Sequence, residues 1–252
     1  MPDAIATSLL LFLVGLFAGT LNVIAGGGSL LTLPVLIFLG LPPTVANGTN
    51  RIAILVQNVG ASWSFNRRGL ISKDWLLLAV PPALMGALLG TFAAVHIGDL
   101  EFQRILAVIL VGAAGWMLWN PSVPPLEQGT ELPAGARRWG FIAAFFLVGV
   151  YGGFIQAGIG FLILAVASAA GFNLIRSNAL KVTLVLVYIP VTLVIFTWGG
   201  KVDWVMGFTL AAGNFLGGLA GVRLQILKGH KWVRSVVTVT IILFALRLLF
   251  GN

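Results

Sequence analysis

The chain has 252 residues, of which 59% are hydrophobic and 9% are charged, and its formal net charge is +8. Soluble domains carry about 25% charged residues, and a soluble core of this size could not bury so much apolar surface. The composition therefore predicts an integral membrane protein, and continuous apolar runs favour helices over the alternating strands of a β-barrel. The sequence contains no cysteine, which excludes disulfides and thiolate chemistry.

Ten apolar segments follow one another along the chain, five on each side of a polar stretch rich in proline and glycine. The first five are predicted at 5–24, 28–40, 45–65, 75–95 and 103–119. The second five are predicted at 138–155, 159–171, 177–198, 204–226 and 233–250. The predicted organisation is a first repeat at 1–119, a cytoplasmic linker at 120–138 and a second repeat at 139–252.

Each half begins with a segment that ends in a glycine cluster, as in "LNVIAGGGSLLTLP" from Leu21 and "QAGIG" from Gln156. The segment that follows each cluster has about 13 residues, so its helix would be about 20 Å long, short of a hydrocarbon core of about 30 Å. We therefore predict a glycine-tipped helical hairpin followed by three transmembrane helices in each half. Whether the hairpins span the membrane or re-enter stays open, because both arrangements return the chain to the same side.

The two halves also match in detail. "ANGTNRIAILVQN" from Ala46 corresponds to "SNALKVTLVLVYI" from Ser177, with a spacing of 131 residues between Asn47 and Asn178. This ordered similarity predicts an internal duplication. Basic loop residues predict that both termini are outside and the linker inside. Five segments per half then give inverted-topology repeats, an arrangement found in many secondary transporters.

The glycines at the tips predict a binding site. Glycine permits positive φ and close approach of the backbone to a ligand, and the helix that starts after such a turn points free N–H groups at anions. Ser29 would add a hydroxyl donor to Gly26–Gly28. Tight packing of helices is the alternative reading of these glycines.

Polar residues inside apolar segments are functional candidates by default. The predicted substrate-binding residues are Asn22, Gly26, Gly27, Gly28, Ser29, Asn47, Asn50, Gln57, Gln156, Gly158, Gly160, Asn178, Lys181 and Tyr188. N-terminal capping or interhelical bonding is the alternative for Asn47 and Asn178, and a snorkelling position at the cytoplasmic interface is the alternative for Lys181. All seven acidic residues fall in loops or at segment ends, which disfavours a buried proton relay.

The motifs "GTLNVIAGGGSLLTLPVLIFLGLPPTVANGTNRIAILVQN" and "YGGFIQAGIGFLILAVASAAGFNLIRSNALKV" resemble the paired motifs of the sulfite exporter TauE/SafE family, also called the 4-toluene sulfonate uptake permease family. The resemblance covers essentially the whole chain. The family's first glycine motif falls on Gly26–Gly28, and its second falls on Gly158 and Gly160, where Ala157 and Ile159 interrupt the glycine run. The resemblance implies a multi-pass protein of the bacterial inner membrane that moves sulfite, thiosulfate or organosulfonates.

The predicted function is therefore transport of a small sulfur-containing anion through a midplane site, by alternating access or facilitated diffusion. Export is favoured, since an anion gains about 2.3 kcal/mol per charge per 100 mV on leaving a negative interior. The alternatives are transport of another small anion and a non-transporting membrane scaffold. No catalytic cluster, metal-ligand set or cofactor motif is recognisable, so we predict no enzyme activity and no cofactor. The expected partners are the anion and the lipid bilayer, without nucleic acid.

Overall fold

A computed structural model of the chain describes residues 4–119 and 132–228. Those residues form nine α-helices and no strand. The helices are α1 (Ala4–Ala25), α2 (Ser29–Phe38), α3 (Pro43–Asn66), α4 (Lys73–His96), α5 (Asp99–Trp119), α6 (Gly135–Phe154), α7 (Ile159–Ala169), α8 (Leu174–Trp198) and α9 (Trp204–Lys228). The tenth predicted segment and most of the linker lie outside the described residues.

The prediction of an all-α polytopic membrane protein is confirmed. Each of the first nine predicted segments coincides with one helix, and α6 begins at Gly135, inside the stretch predicted as linker. Among the helices of residues 4–119 and 132–228, four are long and apolar enough to cross a membrane, namely α1, α4, α8 and α9. By contrast, α2 and α7 have only 10 and 11 residues, which gives lengths of about 15 Å.

Local sequence explains where several helices begin and end. Pro43 occupies the first turn of α3, where its missing N–H costs nothing. The side chain of Asn173 caps α8 by accepting a hydrogen bond from the amide of Arg176 at 2.9 Å. The first arm of each hairpin is followed by a glycine with positive φ, Gly26 at +81° and Gly158 at +73°. An L side chain rarely adopts this backbone conformation, so glycine permits each turn.

The helices pack in pairs that join the two halves. Helix α1 lies against α9 and α4 lies against α6, while α3 and α8 lie against each other. Helix α3 also contacts α9, and α8 contacts α4 in the same way. Glycines bring the paired helices close together: a Cβ atom at Gly90 would lie 1.9 Å from the carbonyl oxygen of Val150, and one at Gly217 would lie 2.1 Å from that of Leu16. Glycine at these positions therefore permits the close packing of the paired helices.

Candidate functional site

The two glycine tips are in direct contact. A Cβ atom at Gly26 would lie 2.7 Å from the Cα of Gly160, and a Cβ atom at Gly160 would lie 2.3 Å from the Cα of Gly26. Real Cβ atoms do not approach other atoms so closely, so the backbones themselves form this contact. The two hairpins therefore meet at these two residues.

Side chains from each short helix cover the tip of the other hairpin. Leu30 of α2 lies next to Gly158, at 3.6 Å from the position of a Cβ atom there, and Phe161 of α7 lies 3.1 Å from the corresponding position at Gly27. Gly28 instead packs inside its own hairpin, where a Cβ atom would lie 2.3 Å from the carbonyl oxygen of Ala18. The three tip glycines of the first half therefore have three different neighbours.

The carboxyl end of α1 is held by two side chains of α8. The ammonium Nζ of Lys181 donates to the carbonyl oxygens of Asn22 at 2.6 Å and Val23 at 3.2 Å, and also to Oδ1 of Asn178. Nδ2 of Asn178 donates to the carbonyl oxygen of Ile24 at 3.4 Å. Carbonyls at the carboxyl end of a helix lack intrahelical partners. Helix α8 satisfies those of Val23 and Ile24, and it adds a second donor to that of Asn22, which already accepts a hydrogen bond from the amide of Gly26 at 2.9 Å.

The carboxyl end of α6 is held by α3 in the same manner. The guanidinium of Arg51 donates from Nη2 to the carbonyl oxygens of Gly152 at 3.2 Å and Gly153 at 2.6 Å. Nδ2 of Asn47 donates to the carbonyl oxygen of Phe154 at 2.9 Å. The interhelical-bonding alternative for Asn47 and Asn178 is therefore confirmed, since each donates to the carboxyl end of a helix in the other half. N-terminal capping is wrong for both, because Pro42 and Asn173 occupy the N-cap positions of α3 and α8.

Both cations lie inside the protein. Arg51 is 0% exposed and Lys181 is 3% exposed, and their hydrogen-bond partners among the described residues are neutral oxygens. This excludes the interfacial alternative for Lys181 in this conformation. Buried charges in membrane segments are costly and mark functional positions, so both residues require an explanation beyond topology.

A narrow cavity lies beside the tips and the end of α1; its free volume of about 10 Å³ holds about one water molecule, so this conformation is closed to a larger anion. Its lining consists of Asn22, Ser29, Ile54, Asn58, Gln156, Ile159, Gly160, Lys181, Val182 and Val185. Five of these are predicted site residues: Asn22, Ser29, Gln156, Gly160 and Lys181. Among the described residues that line this cavity, Lys181 is the one that carries a charge, so the lining is electropositive and offers amide and hydroxyl donors.

Other predicted site residues lie behind the lining. Gln57 accepts a hydrogen bond from Nδ2 of Asn22 at 3.1 Å, and Tyr188 accepts one from Nε2 of Gln156 at 3.3 Å. These two residues can therefore orient amides of the cavity without reaching it. Asn50 lies elsewhere, since its Oδ1 accepts a hydrogen bond from the hydroxyl of Thr32 at 2.7 Å.

Sequence reasoning missed two residues of this region. Asn58 lines the cavity and is 2% exposed, and the rule that polar residues in membrane segments are functional would have selected it beside Gln57. Arg51 was not among the predicted site residues. Its position beside Asn47 and Asn50 in an apolar segment was the available signal, but its partners lie about a hundred residues away in the chain.

Comparisons with known proteins agree with this architecture. A family model described as "Sulfite exporter TauE/SafE" matches residues 11–248. The probable membrane transporter protein YfcA of Escherichia coli K12 is 30% identical over 96% of this chain and 89% of its own length. A probable membrane transporter protein of Haemophilus influenzae is 27% identical over 96% of this chain and 94% of its own length. No solved structure matches the chain.

Proposed function

Since the chain belongs to the sulfite exporter TauE/SafE family, we propose that it transports small sulfur-containing anions such as sulfite, thiosulfate or organosulfonates. The relatives are named membrane transporters, and the described helices are those of a multi-pass membrane protein. The substrate class, the midplane site and the outward direction are our proposal. We propose further that the protein is not an enzyme, that it resides in the bacterial inner membrane and that both termini are periplasmic.

The observation that carries this proposal is the buried ammonium of Lys181 at the cavity between the hairpin tips. At an effective dielectric constant of about 20, a unit anion about 5 Å from this charge would gain about 3 kcal/mol. The remaining polar lining, Asn22, Ser29, Asn58 and Gln156, is neutral. One charge and several neutral donors suit a site that must bind an anion and also release it.

Alternating access between inverted repeats is the mechanism we favour. Reciprocal contacts support it: α1 with α9 corresponds to α6 with α4, and α3 meets α8. The caps are also reciprocal, because α8 holds the end of α1 and α3 holds the end of α6. Two equivalent hairpins that meet at one point could open to opposite sides in turn.

Flux measurements test the proposal. The purified chain would be reconstituted in liposomes, and uptake of radiolabelled sulfite, thiosulfate and sulfoacetate would be compared with uptake of acetate. We expect saturable flux of at least one sulfur anion and none in a Gly160→Leu variant, whose side chain would displace Gly26. A reconstituted, folded protein without flux of any of the three sulfur anions would contradict the substrate assignment.

Transport of another small anion is the second candidate. It is favoured by the cavity lining itself, because amide and hydroxyl groups beside the charge of an ammonium are suited to any oxyanion. Competition by carboxylates in the same flux assay separates the two candidates. A non-transporting scaffold would instead keep its function in a Gly27→Trp variant, whose side chain would fill the space held by Phe161.

A further inference from the structure

The ammonium of Lys181 has three hydrogen-bond acceptors, which equals the number of its N–H groups. The acceptors are two backbone carbonyls, of Asn22 and Val23, and the amide oxygen of Asn178. Every donor of the ammonium is therefore engaged before any anion arrives. The residue acts on the cavity through its charge, and not through an N–H that waits for a ligand.

The oxygens around this ammonium form a cation site in their own right. Two of them belong to the final turn of α1, where the helix dipole places partial negative charge. In secondary transporters with broken helices, such carbonyls at carboxyl ends coordinate dissolved Na⁺. Here Lys181, which is anchored in α8, occupies the corresponding position with a covalently attached cation.

The carboxyl end of α6 supplies a comparison within the same molecule. Arg51 binds the carbonyls of Gly152 and Gly153 and donates from Nη1 to Thr192 at 2.9 Å, and its guanidinium lies 4.5 Å from the centre of the Phe196 ring. Arg51 is not part of the cavity lining, whereas Lys181 is. The end of α1 is thus the one described helix end at which a bound cation also faces the cavity.

We propose that Lys181 is a tethered counter-cation that fills an oxygen-lined cation site at the end of α1, so that the anion needs no dissolved co-ion such as Na⁺. The role toward the anion rests on the proposed function, but the cation site does not. Removal of the ammonium is expected to leave a site that accepts a small monovalent cation from solution. Propylammonium has the three carbons and the ammonium that a Lys181→Ala variant lacks.

The test measures the melting temperature of the purified full-length protein in detergent, without any sulfur anion. Wild type, Lys181→Ala, Lys181→Met and Lys73→Ala would be compared in the chlorides of Na⁺, K⁺, N-methyl-D-glucamine, propylammonium and tetramethylammonium at equal ionic strength. Lys73 is exposed at the start of α4 and serves as the matched control. The Met side chain fills the space that propylammonium would need.

We expect the melting temperature of wild type to be the same in all five salts, and that of Lys73→Ala to be equally independent of the salt. Lys181→Ala should melt lower and regain several degrees in propylammonium chloride by mass action, but not in tetramethylammonium chloride, and Lys181→Met should regain nothing. Failure of propylammonium to stabilise Lys181→Ala selectively would overturn the proposal. So would a wild-type protein that requires Na⁺ for its stability.

If Lys181→Ala cannot be purified, sulfite binding to wild type decides the question. Equal affinity in sodium and in N-methyl-D-glucamine salts is expected, and a tenfold or greater loss without Na⁺ would overturn the proposal. If no anion binds at all, the proposed function fails while the cation series still tests the site.

Discussion

The carboxyl ends of α1 and α6 are chemically alike and differ in what surrounds them. At each end a cation and an asparagine from the opposite half satisfy the last carbonyls of a helix that stops at a glycine turn. At α6 the cation is Arg51, which is enclosed by Thr192, Gln156 and the ring of Phe196. At α1 the cation is Lys181, which lies at the cavity.

We infer from this difference that the contacts at the end of α6 stay in place when an anion binds, whereas those at the end of α1 change. A guanidinium is planar and binds several acceptors in a rigid fork, whereas an ammonium is a compact charge on a flexible stem. An anion in the cavity would attract Lys181 and weaken its bonds to Asn22 and Val23. Binding could then loosen the first hairpin while the second stays in place.

The largest expected effect concerns the contact between the tips. Gly26→Ala would add a side chain at a φ of +81° and at 2.7 Å from the Cα of Gly160. We expect a loss of about 3 kcal/mol or more in the free energy of unfolding, from backbone strain plus displacement of backbone atoms. Gly69→Ala is the matched control, because Gly69 has a φ of +65° and no atom near the added Cβ; it should lose about 1 kcal/mol. If Gly26→Ala and Gly69→Ala lose equal free energy of unfolding in chemical denaturation, the close contact between Gly26 and Gly160 is contradicted.

Replacement of the two cations sharpens the comparison directly. Arg51→Met should lower the free energy of unfolding by about 3 kcal/mol, because Gly152 and Thr192 lose the guanidinium as a donor and Gly153 keeps only the hydroxyl of Thr91. The sulfite affinity of the folded fraction should change less than about twofold. Lys181→Met should lower sulfite affinity about tenfold or more, because the cavity loses its charge. Denaturation curves and sulfite titrations on both variants provide the measurement. A reversed pattern, with affinity lost in Arg51→Met and kept in Lys181→Met, would contradict the division of roles.

Double-mutant cycles test whether the asparagines act together with the cations. Asn178 accepts a hydrogen bond from Lys181, so Asn178→Ala and Lys181→Met should show a coupling energy of about 1 kcal/mol in unfolding. Oδ1 of Asn47 has no hydrogen-bond partner among the described residues, so Asn47→Ala and Arg51→Met should couple less. A larger coupling energy for Asn47 and Arg51 than for Asn178 and Lys181 would contradict this expectation.

The smallest effect lies outside the membrane segments. Asp99, at the start of α5, accepts hydrogen bonds from the amide and the hydroxyl of Thr44 at 2.9 and 2.7 Å. Partial burial raises the pKa of Asp99, but the bonds from Thr44 and the charge of Lys201 outweigh it, and the pKa lies below its ordinary value. This stabilisation is therefore present above the ordinary carboxylate pKa and is lost as the pH falls through the lowered value.

Asp99→Asn keeps an oxygen that can accept from Thr44, so it should cost less than about 1 kcal/mol at neutral pH. It removes the titrating carboxyl, so it should flatten the decline of stability on acidification. Glu101→Gln, two residues further along α5, is the control and should change neither. Thermal melts between neutral and acidic pH provide the measurement. If the melting temperature of Asp99→Asn depends on pH as that of wild type does, the carboxylate of Asp99 does not stabilise the protein.

The helices were predictable from the sequence because lipid forces backbone groups to bond within each segment, so apolar length alone defines α1, α4, α8 and α9. The short helices α2 and α7 were predictable from the glycine clusters before them. The partners of Arg51 and Lys181 were not, since each reaches across more than a hundred residues to a helix end in the other half. Hydropathy cannot tell a buried lysine that caps a helix from one that snorkels, because both stand near a segment end.

The cavity between the hairpin tips is our proposed binding site for a small sulfur-containing anion, beside Lys181. The most direct measurement is a thermal-shift panel of sulfite, thiosulfate, sulfoacetate, taurine, sulfate, acetate and chloride at matched ionic strength, on wild type, Lys181→Met and Lys73→Ala. A ligand that binds the native state raises its melting temperature. We predict selective stabilisation of wild type and Lys73→Ala by at least one sulfur anion, and its loss in Lys181→Met. A flat response in wild type, or an equal response in Lys181→Met, would contradict the claim.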